Sequence, residues 1–225
     1  MNIVITGVSK GIGKELVNQF LNSTLVNKIY ACTSSKKEVS FADTRVEVVS
    51  LDLTNSSSIV SFSNKIKERE IDLLINNAGY LSSSIFSDSQ LEEARRMFEV
   101  NFFGPYQLIQ NLLPFLKSAK GQVINVGSMG GFQGSSKFSG LAAYSSSKSA
   151  IACLSECLAV EFLKYNVNVN CLALGAVNTE MLQKAFPDYV SDISPKEIAS
   201  FIKLFSEVSG KLINGKVIPI SRTIV

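Results

Sequence analysis

Apolar residues along this chain fall into short continuous runs, separated by longer stretches in which they recur at helical spacing. The runs are Ile3–Thr6, Ile29–Thr33, Val46–Leu51, Leu73–Asn76, Val123–Val126, Val167–Leu174 and Lys216–Ile220. Continuous rather than alternating hydrophobicity is what strands covered on both faces require. Between them, Lys14–Asn22, Ser57–Arg69, Leu91–Leu116, Tyr144–Lys164 and Pro195–Val208 carry amphipathic helical periodicity. Ser194 before Pro195 marks a helix start, a capping hydroxyl followed by a ring whose fixed φ suits the first helical position. Strand–helix alternation predicts βαβ units and a parallel sheet, and no repeat, linker or composition break divides the chain. The expectation is a single α/β domain over residues 1–225, doubly wound, with helices on both faces of the sheet.

Composition narrows the chemistry. The 225 residues are 46% hydrophobic and 18% charged, enough to bury a sizeable core. The net charge of +3 comes from 22 basic and 19 acidic side chains without like-charge blocks, which argues against a nucleic-acid or membrane surface. Histidine is absent. Acid–base work therefore falls to Tyr, Lys, Cys or carboxylates, and no metal site is expected. Cys32, Cys153, Cys157 and Cys171 form no C-x-x-C pair, and each sits in an apolar context that reads as a buried small hydrophobe. No apolar run reaches the length of about 18 residues that spans a membrane. The first strand begins at residue 2, which leaves no room for a signal peptide, so a reducing, cytoplasmic setting is expected.

The first strand empties into Thr6-Gly7-Val8-Ser9-Lys10-Gly11-Ile12-Gly13. Glycines there let the backbone turn tightly and approach a pyrophosphate, while free N–H groups of the following helix face an anion. The spacing is G-x-x-x-G-x-G, not G-x-G-x-x-G, and by itself also suits a merely tight strand–helix turn. The stretch resembles the cofactor loop of the short-chain dehydrogenase/reductase family, and the resemblance runs along nearly the whole chain. Asn76-Asn77-Ala78-Gly79 is similar to the family's N-N-A-G, and Asn101 to its helix asparagine. Ser128 closes the fifth strand, and Tyr144-Ser145-Ser146-Ser147-Lys148 is similar to Y-x-x-x-K.

The resemblance implies a seven-stranded parallel Rossmann sheet and a nicotinamide dinucleotide cofactor, with carbonyl-reductase-like chemistry. It implies that Tyr144 exchanges a proton with a carbonyl or alcohol oxygen that Ser128 holds. Lys148 would bind the nicotinamide ribose and Asn101 would anchor a water-linked proton relay. Gly7, Ser9, Lys10, Gly11, Ile12 and Gly13 would cradle the phosphates. Asp52 with Leu53, and Asn77, Ala78 and Gly79, would line the adenosine side, while Gly175, Val177 and Thr179 would meet the nicotinamide. Asp52 also reads as a cap or turn residue of Asp52-Leu53-Thr54-Asn55.

Tyr144 and Lys148, four apart, share a helix face, an arrangement that elsewhere is an ordinary surface contact. A free tyrosine titrates near 10, and a neighbouring ammonium is expected to lower that value. The second strand ends in Ser34-Ser35-Lys36-Lys37 without an acid, and an acid there would repel a 2′-phosphate. With Lys10 basic and Ser34, Lys36 and Lys37 available, NADP(H) is favoured over NAD(H). The family's P-G after the sixth strand is here Leu174-Gly175, and Glu180–Ile193 is short for a substrate lid, so an open pocket is expected. Phe132, Phe138, Leu141, Met181 and Phe186 are candidates for an apolar pocket, or for aromatics tucked onto the core. A homodimer or homotetramer built on the two long helices is expected, by resemblance. Two other readings stand beside the oxidoreductase: a non-catalytic dinucleotide-sensing regulatory protein, and a sugar-nucleotide epimerase, for which the chain is short.

Overall fold

The computed structural model describes residues 1–34, 39–68 and 70–222. Seven strands form one parallel sheet in the order β3-β2-β1-β4-β5-β6-β7. They are β1 (Asn2–Thr6), β2 (Lys28–Thr33), β3 (Val46–Ser50), β4 (Leu73–Asn76), β5 (Gln122–Ser128), β6 (Asn168–Leu174) and β7 (Val217–Ile220). Successive residues of each strand point to opposite faces, and each face has its own apolar layer. Ile3, Ile5, Ile29 and Ala31 pack with Leu16, Val17 and Phe20 of α1 (Gly11–Leu21) and Ile198, Ile202 and Phe205 of α7 (Pro195–Val208). Val4, Tyr30, Leu74 and Val123 face the other way. There they meet Ile59 and Phe62 of α2 (Ser56–Lys65) and Leu108, Leu112 and Leu116 of α4 (Gly104–Ala119). Both faces being covered explains the continuous apolar runs.

The α7 boundaries fall where the sequence places them. Ser194 accepts from the Glu197 N–H at 3.3 Å, and the Glu197 carboxylate accepts from the Ser194 N–H at 2.8 Å, a full capping box. The expected single helix Leu91–Leu116 is instead broken into α3 (Leu91–Phe98), a π-helical turn at Glu99–Phe103, and α4. Pro105 has no N–H, so the Asn101 carbonyl cannot receive its i+4 donor, and the Gly104 N–H bonds back to the Glu99 carbonyl instead. The helix expected from Tyr144 starts two residues earlier, as α5 (Ala142–Glu161). Ser57–Arg69 stops at Lys65, because Ile66 turns to extended backbone, and Arg69 lies outside the described residues. Glu180–Ile193, read as a short connection, begins with a six-residue helix, α6 (Glu180–Ala185), capped by the Thr179 hydroxyl. Cys32 and Cys171 are buried as expected, but Cys153 and Cys157 are exposed on α5. Their spacing of four puts both on one helix side, the side turned away from the sheet.

The chain builds β1, β2 and β3 outward in one direction and returns to place β4 on the other side of β1. Ligands of such sheets settle at the carboxyl ends beside that reversal. Here the two strand ends are knotted together. The Thr6 hydroxyl accepts from the N–H groups of Asn77 and Ala78 at 3.0 Å each, and Asn77 Nδ2 donates to the Thr6 carbonyl at 2.9 Å. Gly13 packs under this knot: a Cβ on it would stand 2.1 Å from the Gly7 oxygen and 2.6 Å from Asn77 Nδ2. Gly13→Ala must therefore push α1 away from the loop, overpacking that costs about 1–3 kcal/mol. A drop of several degrees in the thermal midpoint is expected, and an unchanged midpoint would show that α1 shifts without cost.

Candidate functional site

The knot fixes the loop that follows β1. Gly7 and Gly11 take positive φ, +74° and +56°, a region costly for other residues. A Cβ at Gly7 would also lie 2.7 Å from the Ala78 Cα, so the loop can pass this close only as glycine. The first turn of α1 carries no acidic residue, which leaves its N–H groups and positive dipole end free to favour an anion.

Over this loop lies a cavity of about 660 Å³. Its wall brings together Gly7, Ser9, Lys10, Gly11, Ile12, Ser34, Asp52, Leu53, Asn77, Ala78, Gly79, Ser128, Tyr144, Lys148, Gly175, Val177 and Thr179. Gly13 and Asn101 stand behind it, the first under the glycine loop and the second buried beside Tyr80. Lys36 and Lys37 lie outside the described residues. Several wall residues also have structural duties. Asp52 Oδ1 accepts from the Thr54 N–H and hydroxyl at 2.9 and 2.8 Å, the turn role foreseen for it. Thr179 caps α6, with its methyl beside Gly11. Lys10 pairs with Glu180, so α6 is tied to the glycine loop by an exposed ion pair of modest strength.

At the far end of β5, Ser128 stands at the cavity wall with Tyr144 and lowers the phenol's pKa, and its hydroxyl accepts from the Gly130 N–H at 3.2 Å. One helical turn on, Lys148 is buried and its Nζ donates to the Val126 carbonyl at 2.8 Å. Burial disfavours its charge and lowers its pKa to about 8. Burial also raises the Tyr144 pKa above the usual 10, and Ser128 only partly offsets this. The expected net lowering of the Tyr144 pKa is corrected here: desolvation outweighs any help from Lys148, whose Nζ sits 6.0 Å from the Tyr144 ring centre and is engaged by a backbone carbonyl.

Asn101 is fully committed. Its Oδ1 accepts from the Tyr80 N–H at 2.8 Å, and its Nδ2 donates to the Tyr80 carbonyl and to Ser147 Oγ, each at 2.9 Å. It thereby ties the π-helical turn to α5 one residue before Lys148. Gly79 separates the two: a Cβ there would lie 3.6 Å from Asn101 Oδ1 and 3.7 Å from Lys148 Nζ. Of the five apolar-pocket candidates, Phe138, Leu141, Met181 and Phe186 line the cavity and Phe132 does not. Sequence reading missed Leu81, Met129 and Tyr189, which come from loops without periodicity.

The glycine loop, the cavity over it and the Ser128–Tyr144–Lys148 cluster thus lie together at the carboxyl ends of the strands. The short chain dehydrogenase family model matches residues 1–190. The chain is 30% identical to a fatty acyl-CoA reductase of Acinetobacter baylyi, over 88% of this chain and 70% of that one. It is 32% identical to a probable short-chain type dehydrogenase/reductase, VdlC, of Helicobacter pylori, over 95% of this chain and 79% of that one. Among solved structures, a short chain dehydrogenase of Burkholderia cenocepacia in complex with NADP superimposes with a TM-score of 0.84 at 26% identity, covering 97% of this chain and 87% of that one. The chain is a member of the short-chain dehydrogenase/reductase family of oxidoreductases.

Proposed function

We propose that this protein uses NADP(H) to interconvert a carbonyl compound and its alcohol, with Tyr144, Ser128, Lys148 and Asn101 as its working set. The observation that carries the reading is the meeting of Ser128 and Tyr144 at one cavity wall with buried Lys148 one helical turn away. The glycine cradle, the acid-free first turn of α1 and the wall residues Ser34, Asp52, Ala78 and Val177 fit a dinucleotide. Bound there, the nicotinamide supplies or accepts the hydride. Ser128 holds the reacting oxygen against Tyr144, which donates its proton to that oxygen in reduction. Raised by burial, the phenol is fully protonated at neutral pH and ready as a donor. The phenolate left behind is stabilised by the Lys148 ammonium, and Asn101 holds α5 in position through Ser147.

NADP(H) is preferred on this reading, because Ser34 follows β2 where an acid would repel the 2′-phosphate and Lys10 lies at the cavity edge. NADPH should bind at least about tenfold tighter than NADH, and Lys10→Glu should erase that preference. Fluorescence titration of both dinucleotides checks it, and equal affinities in the unmodified protein would refute it.

Tyr144→Phe keeps the ring and removes the donor, so turnover should fall by roughly 10²–10⁴-fold with NADPH affinity retained. Lys148 is charged below its pKa of about 8 and neutral above it. Reduction should therefore slow as pH rises through that value, when the forming phenolate loses its cation. Lys148→Met should be weakly active throughout and lack this limb in its pH–rate profile.

The π-helical turn and helices α4 and α5 leave Phe103, Tyr106 and Val160 exposed, apolar surface that suits pairing of two copies. Sedimentation at micromolar concentration should give a dimer or tetramer, and Val160→Glu should weaken it. A monomer would count against this assembly.

A further inference from the structure

The cavity is chemically lopsided. Its charged lining residues, among those described, are Lys10, Asp52, Lys148 and Glu180. Lys10 and Glu180 pair with each other at the glycine loop, and Asp52 holds Thr54 at the β3 end, which leaves Lys148 as the charged group on the reacting side. Beyond Ser128 and Tyr144 the wall is mostly apolar, with Leu81, Met129, Phe138, Leu141, Met181 and Phe186 beside the neutral polar Ser136 and Tyr189. Phe138 and Phe186 meet edge to face, ring centres 6.1 Å apart at 67°, so the loop before α5 and the end of α6 touch across the mouth.

The apolar surface does not end there. A second cavity of about 480 Å³ shares Gly130, Phe138 and Leu141 with the first; Ile85, Phe86 and Ala142 line it on one side, and Ser139, Ser145, Ser146 and Ser149 supply neutral polar groups. Three large apolar side chains are open to solvent: Ile85 is 61%, Phe86 79% and Phe138 56% exposed. Their placement is built rather than incidental. The Ser84 N–H donates to the Gly140 carbonyl at 3.0 Å, and Gly140, at φ +83°, leaves no room for a Cβ against Ser83 Oγ. The 83–86 ledge and the Phe138 loop are thus held edge to edge. The cation beside them, Lys137, has its Nζ engaged by the Phe132 carbonyl at 2.7 Å and Ser135 Oγ at 2.9 Å.

We propose that the substrate is an uncharged ketone or aldehyde bearing an extended alkyl chain, which runs from the Ser128–Tyr144 end along Phe138 and onto Ile85 and Phe86. The proposal rests on the carbonyl-reducing reading above and adds the substrate class to it. Exposed apolar side chains continuous with an uncharged cavity wall gain by covering an apolar chain, whereas a charged group passing Phe138 and Phe186 would lose its water without a partner.

The test measures kcat/KM with NADPH for methyl ketones of rising length, butanone through methyl nonyl ketone, and for analogues ending in a carboxylate. Each methylene buried should raise kcat/KM roughly fourfold until the chain passes Phe86, and the terminal carboxylate should cancel most of the gain for short chains. Phe138→Ala and Phe86→Ala should flatten the rise, with the change falling in KM. A kcat/KM independent of chain length, or a rise that both variants leave intact, overturns the proposal. Calorimetric binding of the same ketones to Tyr144→Phe with NADPH present reads the chain's affinity without turnover. Affinity that tightens with length supports the substrate class even where no ketone is reduced, in which case the reaction assigned above is what fails. Affinity that stays flat overturns the class.

Discussion

Everything in this site hangs from one hydroxyl. Thr6 ends β1 and accepts two backbone N–H groups from the turn after β4, while Asn77 returns a side-chain bond to the Thr6 carbonyl. β1 and β4 are neighbours because the chain reverses its direction of growth here, so the chain beyond them leads to helices on opposite faces, α1 and α4. Joining the two strand ends with side-chain bonds rather than with bulk forces the glycine loop to lie flat on Ala78 and Gly13 to pack beneath it. The N-terminal N–H groups of α1 then sit at the cavity edge instead of being buried without partners. A bulkier solution would have filled the space that a dinucleotide needs.

A second constraint positions the reacting end. Asn76 Nδ2 donates to Asn125 Oδ1 at 2.8 Å, Asn125 Nδ2 donates to Ser155 Oγ at 2.9 Å, and Ser155 donates to the Ile151 carbonyl at 2.8 Å. This buried chain links β4, β5 and α5, and a shift of α5 by one residue would leave its members unpaired at a cost of about 1–3 kcal/mol each. α5 presents Tyr144, Lys148, Ile151 and Ser155 at spacings of three and four. Fixing Ser155 therefore also fixes the height of Tyr144 opposite Ser128 and of Lys148 opposite Val126.

The sheet was legible because its strands are buried on both faces and so read as unbroken apolar runs, with Leu73–Asn76 matching residue for residue. α7 was legible from Ser194-Pro195 because a cap is local chemistry. Leu91–Leu116 was not, since apolar periodicity passes through Pro105 without registering that a donor is missing and that a π turn must absorb the loss. The exposure of Cys153 and Cys157 was misread for a related reason: apolar neighbours in sequence do not reveal which side of α5 faces the sheet. Most of the motif residues meet at one wall, with Gly13 and Asn101 behind it. Their electrostatics did not follow from spacing, because the Tyr144 environment is set by desolvation and by where Lys148 Nζ finds a carbonyl.

That electrostatic arrangement has its own logic in a chain without histidine. Burial moves Tyr144 and Lys148 in opposite directions, the phenol above 10 and the ammonium down to about 8, because each charged form pays for lost water. Before any proton moves, the site holds a neutral phenol and a cation that leans on a single carbonyl. In the proposed reduction, loss of the phenolic proton creates an anion one helical turn from that cation, and their attraction offsets part of the two desolvation costs. The Lys148 charge thus does more for the phenolate than for the neutral phenol, which is the kind of differential stabilisation that catalysis requires. An imidazole, titrating near neutrality without help, would need no such pairing. A tyrosine does, and the burial that makes Lys148 reluctant to stay charged is what gives it most to gain when Tyr144 ionises.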